Sequence, residues 1–218
     1  MDFQAARAST LQDSVYVQIL EAIISGTLAP GTQVTTRELA EQMSVSIQPV
    51  REAIVRLQEL NLVHVESRRI MVTENSIENM SDFTRLRSLV EGFAVDLACE
   101  RRGETTIRRL EEIVAQMQSR EASTLEYLNL NRELHLTIYA AAGFPHLEKI
   151  IEFLWVHVTR YLHVLGTDEE LQTVTREYHE RIVEAIRNRD AEAARRWLNE
   201  DLETGMQMAR RIHERHGR

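Results

Sequence analysis

Arginines and carboxamides concentrated early in the chain are the first residues with chemistry to offer. Arg37, Gln48, Arg51, Arg68 and Arg69 fall within one short stretch. A guanidinium is a planar fork of donors that fits phosphate oxygens or the O6/N7 edge of guanine, and a Gln carboxamide fits the N6/N7 edge of adenine. These groups read DNA when a helix carries them by its N-terminal end into the major groove. Gln48 and Arg51 fall in the first turns of a helix that Ser46 would cap. Its outward residues include Ile47, Gln48, Arg51, Glu52, Val55 and Arg56. Arg37 opens the preceding helix, placed to grip the DNA backbone. Arg68 and Arg69 stand at a hairpin tip, able to enter a minor groove or clamp phosphate. The bland alternative is a set of solvated surface arginines; grouping on one face beside a capped helix-turn-helix favours DNA.

An amphipathic helix is expected over 11–25, with Val15, Ile19, Ala22 and Ile23 at helical spacing and Gly26 as its stop. Leu28-Ala29-Pro30-Gly31 signals a turn. Thr35-Thr36-Arg37-Glu38 is a capping box, in which the Thr35 hydroxyl accepts from the Glu38 amide and Glu38 returns the bond. The helix it starts buries Leu39, Ala40 and Met43. Ser44-Val45 forms the next turn, Pro49 is tolerated in the first turn of the following helix, and Val50, Ile54 and Leu57 form its inward stripe. Leu62–Val65 and Ile70–Val72 read as extended around a polar turn, giving a wing.

From Ile77 onward the pattern is helical, with six helices expected over 77–101, 104–120, 123–142, 146–165, 169–188 and 190–214. Gly103, Gly143-Phe144-Pro145, Gly166-Thr167 and Asn188–Asp190 punctuate them. Only three prolines and eight glycines occur in 218 residues, which suits long helices. The fold class expected is mainly α: a winged helix-turn-helix over 1–76 and an all-α six-helix bundle over 77–218.

Net charge is −8, which speaks against a protein that coats nucleic acid indiscriminately. Residues 1–76 hold six Arg against nine Asp and Glu, so DNA contact must rest on a local patch. One cysteine, Cys99, excludes an internal disulfide and points to a reducing compartment. The N-terminus lacks the apolar stretch of a secretory signal, and no run reaches the ~18 apolar residues of a membrane helix. A cytoplasmic protein without membrane contact is expected. HExxH, nucleophile-elbow, P-loop and dinucleotide motifs do not occur.

Gly26-x-Leu28-x-Pro30-Gly31, Leu39-Ala40-x-x-Met43-x-Val45-Ser46 and Pro49-Val50-Arg51-Glu52-Ala53-Ile54-x-x-Leu57 together resemble the GntR family winged helix. The resemblance implies a homodimer on a short palindromic operator in double-stranded DNA. The family usually places Arg directly after the recognition-helix Ser, where Ile47 stands here, free to meet a thymine methyl. It also usually places Gly in the wing near Arg68-Arg69.

The helical half resembles the FCD effector domain of the FadR-like subfamily. The carriers are Leu86-Arg87 with Glu91, Asn131-x-x-x-His135 running into Ile138-x-x-Ala141-x-Gly143, and His179-x-x-Ile182-x-x-Ala185-Ile186. Six helices rather than seven resemble the VanR-type branch. Many FCD domains bind a divalent metal through one Asp and three His. Carried over by position, that set falls here on Asn131, His135, His179 and Asp201, with the carboxylate moved to another corner. Asn131 and His135 share a helix face at i, i+4. Two imidazoles and a carboxylate suit Zn, Ni or Mn, one per subunit. The alternative is a pair of buried histidines around a polar cavity. Arg87 either faces the cavity, where family members use it to pair with an effector carboxylate, or pairs with Glu91 one turn on. His157 and His163 flank Tyr161 near Trp155, and Met71, Met80, Met117, Met206 and Met208 read as filler. The function expected is a sequence-specific regulator, a repressor controlled by a small organic acid. The alternatives are a metal-free regulator with direct or no ligand, an adaptor that uses its winged helix for protein contacts, and a small metallohydrolase.

Overall fold

The computed structural model describes residues 11–74, 76–118, 124–165 and 169–216, with side chains for all of these but 124–125, 159–165, 169–171, 212–213 and 215–216. The chain divides into two units, Met1–Asn75 and Ser76–Arg218.

The first unit runs α1 (Leu11–Ile24), β1 (Gln33–Val34), α2 (Thr36–Gln42), α3 (Ile47–Glu59), β2 (Val63–Glu66) and β3 (Arg69–Val72). Val15, Ile19 and Ile23 form the buried stripe of α1. It meets Val50, Ala53, Ile54 and Leu57 on α3, all buried. The capping box at the start of α2 is present as expected: Glu38 N–H donates to Thr35 Oγ1 at 3.2 Å, and Thr35 N–H donates to Glu38 Oε2 at 2.6 Å. Gly26 ends α1 at φ +77°, a left-handed conformation that suits glycine.

Three details depart from expectation. Ser46 occupies the N-cap position of α3, but its hydroxyl makes no capping hydrogen bond. The third strand, β1, went unseen, because two residues carry no periodicity. It exists through its partner, with Gln33 opposite Met71 and Val34 opposite Ile70. The sheet order is β1-β3-β2, all antiparallel. The wing turn is tighter than the polar stretch suggested. Glu66 pairs with Arg69, leaving only Ser67 and Arg68 in the loop, at φ +49° and +71°. A two-residue loop of this hand follows the natural strand twist and normally recruits Asn or Gly. The wing closes here without the glycine.

Among the described residues the second unit is six helices: α4 (Ile77–Arg101), α5 (Glu104–Met117), α6 (Thr124–Ala141), α7 (Pro145–Leu165), α8 (Glu169–Arg187) and α9 (Ala191–His216). The second helix stops at Met117, three residues short of its expected end at 120, and the expected start of the third at 123 lies outside the described residues. The last helix extends two residues beyond its expected end. Ser76 caps α4 by accepting from Asn79 N–H at 3.1 Å. The core is aliphatic, built from Leu110, Ile113, Leu134, Ile138, Ile151, Ile182, Ile186 and Leu198 among others. Near the α4–α5 junction, arginines satisfy helix-end carbonyls. Arg101 donates to Ala142 O at 2.7 Å, Arg102 to the carbonyls of Ile186 and Arg187, and Arg189 to Cys99 O at 3.0 Å. A cation at a helix C-terminus answers both the orphan carbonyls and the helix dipole.

Candidate DNA-reading face and buried effector centre

On the first unit, the buried stripe of α3 turns Ile47, Gln48, Arg51 and Val55 to solvent. Ile47 is 42% and Val55 53% exposed. Gln48 donates to Glu52 Oε1 at 2.8 Å, a one-turn bond on the exposed face that a base edge can replace. Arg37 pairs with Glu41 at 2.8 Å in full solvent, where such a pair contributes little and yields readily. Arg51 makes no ion pair with any described residue and is exposed. Arg56 is different: it donates to Asp13 at 2.9 Å and lies 3.8 Å over the Tyr16 ring. It ties α3 to α1 and is not spare for DNA. Ser46, Arg68 and Arg69 are all exposed.

In the second unit, α6, α8 and α9 each aim one polar residue at a common point. His135, His179 and Asp201 are buried, and each offers a ligand atom within 4.8 Å of the other two. His135 Nε2 stands 3.4 Å from Asp201 Oδ2, and His179 Nε2 stands 3.4 Å from Asp201 Oδ1. The carboxylate therefore lies between the two imidazoles. His179 Nδ1 has no hydrogen-bond partner among the described residues, and its Nε2 has only the long contact with Asp201, which falls short of hydrogen-bond geometry. A fully buried imidazole so poorly satisfied is costly unless something else meets it.

The other nitrogen of His135 is accounted for. Its Nδ1 is 3.0 Å from the Tyr139 hydroxyl, and Tyr139 donates in turn to Glu91. Because the Tyr139 proton goes to Glu91, His135 is the donor at Nδ1, and its Nε2 is the atom turned to Asp201. A ligating imidazole held by a hydrogen bond at its far nitrogen is the usual supporting pattern of metal sites.

Burial lowers the pKa of His179, only partly offset by Asp201. Burial would raise that of Asp201, but the two imidazoles outweigh it and hold the carboxyl well below its usual range. Neutral imidazole and ionised carboxylate are the forms that bind metal. Burial, then Glu91, pushes the Tyr139 phenol well up, so it stays a donor.

His135 and Asp201 open onto a cavity of about 60 Å³ whose wall also includes Asn131, Arg87, Trp155 and Tyr127. Asn131 stands on that wall one turn before His135, so the four residues singled out by position share one neighbourhood. Arg87 does both things left open for it. It lines the cavity, and it donates to Glu91 through Nε at 2.5 Å and through a terminal nitrogen at 3.3 Å. Burial works against its charge, but Glu91 more than compensates and raises its pKa. It also lies 4.8 Å from the Trp155 ring.

The profile of bacterial regulatory proteins of the gntR family matches residues 11–71, and that of the FCD domain matches residues 82–204. The chain belongs to the GntR family and carries an FCD domain. The GntR regulator McbR of Escherichia coli K12 is 33% identical over 184 residues, spanning 82% of this chain and 83% of that protein. YdhC of Bacillus subtilis is 26% identical over 201 residues, spanning 89% and 88%. The solved structure of E. coli McbR/YncC superposes at a TM-score of 0.83 with 29% identity, over 94% of this chain and 100% of that one. A GntR regulator from Rhodococcus sp. RHA1 shares the fold at a TM-score of 0.76 and 19% identity. These relatives are transcriptional regulators, not enzymes, which removes the metallohydrolase reading.

Several residues of this GntR regulator's cavity escaped sequence reasoning. Tyr139 falls four residues after His135, the spacing that gives a helix neighbour, and could have been found that way. Met80 and Met206, read as filler, line the cavity, as does Trp155. His157 does not: it stacks on Phe83 at 4.3 Å and meets the edge of Phe153 at 4.9 Å. The side chains of Tyr161 and His163 lie outside the described residues. Among those residues no helix is long and apolar enough to cross a membrane.

Proposed function

We propose that this GntR regulator is a homodimeric repressor of a palindromic operator, released by a small organic acid at a divalent-metal centre. Asn131, His135, His179 and Asp201 hold the metal, which is Zn, Ni or Mn, one per subunit. When bound, the metal supplies a Lewis-acidic coordination position for a carboxylate. The observation that carries this reading is the buried trio of His135, His179 and Asp201, in which, among the described residues, the His179 nitrogens have no polar contact shorter than the 3.4 Å approach to Asp201. Asn131 is the weakest member by chemistry, and its place on the cavity wall suits a contact shared with the effector.

Arg37, Ser46, Gln48, Arg51, Arg68 and Arg69 make the DNA contacts, with the α3 residues in the major groove and the wing residues beside it. A 23% identical relative is the transcriptional repressor RspR of E. coli, in keeping with repression. For the dimer, an apolar stripe on α4 is the support. Leu86, Leu89 and Phe93 follow at helical spacing and are 47%, 73% and 46% exposed. Phe144 meets Phe93 at 6.4 Å and extends the patch. A two-fold interface sets the same patch against itself and would cover it. A regulator that acts on DNA works in the cytoplasm, where we place it.

The deciding experiment is elemental analysis of untagged protein with melting curves after chelation and after metal return. Stoichiometric metal with a higher melting temperature supports the centre. Absence of metal, with no response to Zn, Ni or Mn, refutes it. Selection from a random duplex library then tests the operator: a two-fold symmetric consensus is expected, and enrichment without symmetry refutes the palindrome.

A further inference from the structure

The DNA contacts proposed above leave out the residue that opens α3. Ile47 follows Ser46 directly as the first residue of that helix, and it is 42% exposed. Single exposed apolar residues are common and need no explanation by themselves; the place of this one is what matters. The buried face of α3 is made by Pro49, Val50, Ala53, Ile54 and Leu57 and does not include it. A β-branched residue is not favoured there by helix propensity either. Its neighbours on the outward face are polar. Arg51 lies four residues on, the spacing that sets two side chains on one helix face, and is exposed. Gln48 stands beside Ile47 and donates to Glu52 Oε1 at 2.8 Å. Hydrogen-bonding groups therefore flank Ile47, but its own side chain can meet only an apolar group. On the base edges of the major groove there is one such group, the 5-methyl of thymine.

We propose that Ile47 is a specificity-determining residue that packs on the 5-methyl group of one thymine in each operator half-site. This rests on the docking of α3 in the major groove proposed above. The N-terminal residues of a recognition helix come nearest to the base edges, and Ile47 is the first of them. The contact carries no charge and no hydrogen bond, so it adds sequence preference without adding to the salt dependence that phosphate contacts impose. Its size follows from the area covered. Removing one methyl group from water against an aliphatic side chain is worth about fourfold in affinity, and the two half-sites of a dimer together about fifteenfold.

The test uses full-length protein and the duplex consensus selected from a random library. Each thymine is replaced in turn by deoxyuridine, which lacks only the methyl group, and affinity is read by anisotropy at fixed salt. One thymine per half-site should respond, with about fourfold weaker binding for one replacement and about fifteenfold for both. Ile47→Ala should bind the thymine duplex more weakly than the parent and should not distinguish thymine from deoxyuridine at that position. Ile47→Val, which keeps a branched apolar side chain, should retain part of the preference. With cytosine at the same position, 5-methylcytosine should bind the parent more tightly than cytosine does, by about fourfold, and Ile47→Ala should not. Arg51→Ala should weaken binding to both duplexes and keep the thymine-to-deoxyuridine ratio. Circular dichroism checks the fold of each variant. A parent indifferent to deoxyuridine at every thymine overturns the proposal. So does a folded Ile47→Ala that keeps the parent's ratio, a result that assigns the methyl to another apolar residue of the face such as Val55, which is 53% exposed. A library without a consensus, or a folded Arg51→Ala with parental affinity, overturns the docking of α3 and this inference with it, and both show before any thymine is changed.

Discussion

Replacing both His179 and Asp201 by Leu should change the sign of its effect with metal. In chelated protein the parent buries two imidazoles against one carboxylate, with His179 Nδ1 left without a partner among the described residues and its Nε2 in only a long 3.4 Å contact. An unsatisfied buried polar group costs about 1–3 kcal/mol, and exchanging a buried polar cluster for apolar side chains is often stabilising by about 1–4 kcal/mol. Allowing for imperfect packing of the added methyl groups, the double variant should gain about 1–2 kcal/mol. A kcal/mol moves the midpoint of a chain of this size by roughly 2–4 °C, so a rise of roughly 2–8 °C is expected in chelator. With metal at about one hundred times its Kd, the parent gains about 2.7 kcal/mol, or roughly 5–11 °C, and the variant gains nothing. The parent should therefore be the less stable protein without metal and the more stable one with it. The chain has two tryptophans, Trp155 and Trp197, both in the helical unit, so intrinsic fluorescence follows that unit's melting alone. Trp155, with its ring 5.5 Å from that of His135, reports on the centre directly. A double variant that melts below the parent in chelator by more than about 1 kcal/mol would mean that His179 and Asp201 are a self-sufficient structural network. A variant that still responds to metal would place the ligands elsewhere.

Arg51→Ala should weaken operator binding by about 1–3 kcal/mol, measured by anisotropy on a selected duplex; parental affinity would refute the docking of α3. Ser67→Gly should stabilise the winged unit by about 0.5–1 kcal/mol, since relief of a left-handed non-glycine residue exceeds the entropy glycine costs; a far-ultraviolet melt showing a lower midpoint contradicts the two-residue turn. Leu89→Glu should give monomers by light scattering, whereas an intact dimer would move the interface off α4. The Cys99 thiol is pushed up to about 11 by burial, then by Asp190. Native protein at pH 8 should therefore react with a disulfide reagent far more slowly than urea-unfolded protein, and equal rates would show that Cys99 is not buried.

The parts of this fold legible in the sequence are those fixed by local chemistry. The Thr35–Glu38 capping box needs only four residues and forms as written. The helices of the second unit end where Gly103 and Gly143-Phe144-Pro145 interrupt them, and their bounds follow. What stayed hidden depends on partners distant in sequence. Two residues become β1 only because β3 is there to pair with them. Ser46 has a capping residue's identity and position, yet the hydroxyl does not turn to the helix. The wing turn at Ser67 and Arg68 adopts a glycine conformation without glycine, which no composition rule anticipates. At the buried centre, positional likeness brought together Asn131, His135, His179 and Asp201. The Tyr139–Glu91–Arg87 chain that orients His135 spans α4 and α6, so its existence is a fact of packing rather than of any one motif.

The carboxylate's position on α9 has a mechanical consequence. In the pattern the family implies, the acidic ligand shares α6 with a histidine; here α6 offers Asn131, and the acid comes from the last helix. A cation held by His135, His179 and Asp201 must therefore tie α6, α8 and α9 to one another, with the only charged member on α9. That helix packs along α4, where Ser88 Oγ donates to Asn199 Oδ1 at 2.6 Å. The N-terminal half of α4 supplies Met80, Thr84 and Arg87 to the cavity wall, and its first residue, Ile77, follows directly on the chain of the winged unit. An effector entering the cavity thus meets α4 within about three turns of that junction, while a metal would fix the wall that His135 and Asp201 supply. Differential contact with one α4 position over another is what a ligand needs to shift a population. Replacing Thr84, which is buried with its hydroxyl donating to Met80 O at 2.9 Å, should alter the effector's power to release DNA more than its affinity for the protein. Thr84→Val keeps the volume and removes the bond. Operator release by a small organic acid such as propionate, compared with binding of the same acid measured by calorimetry, separates the two quantities. Equal changes in both would mean that α4 lines the cavity without conveying its occupancy.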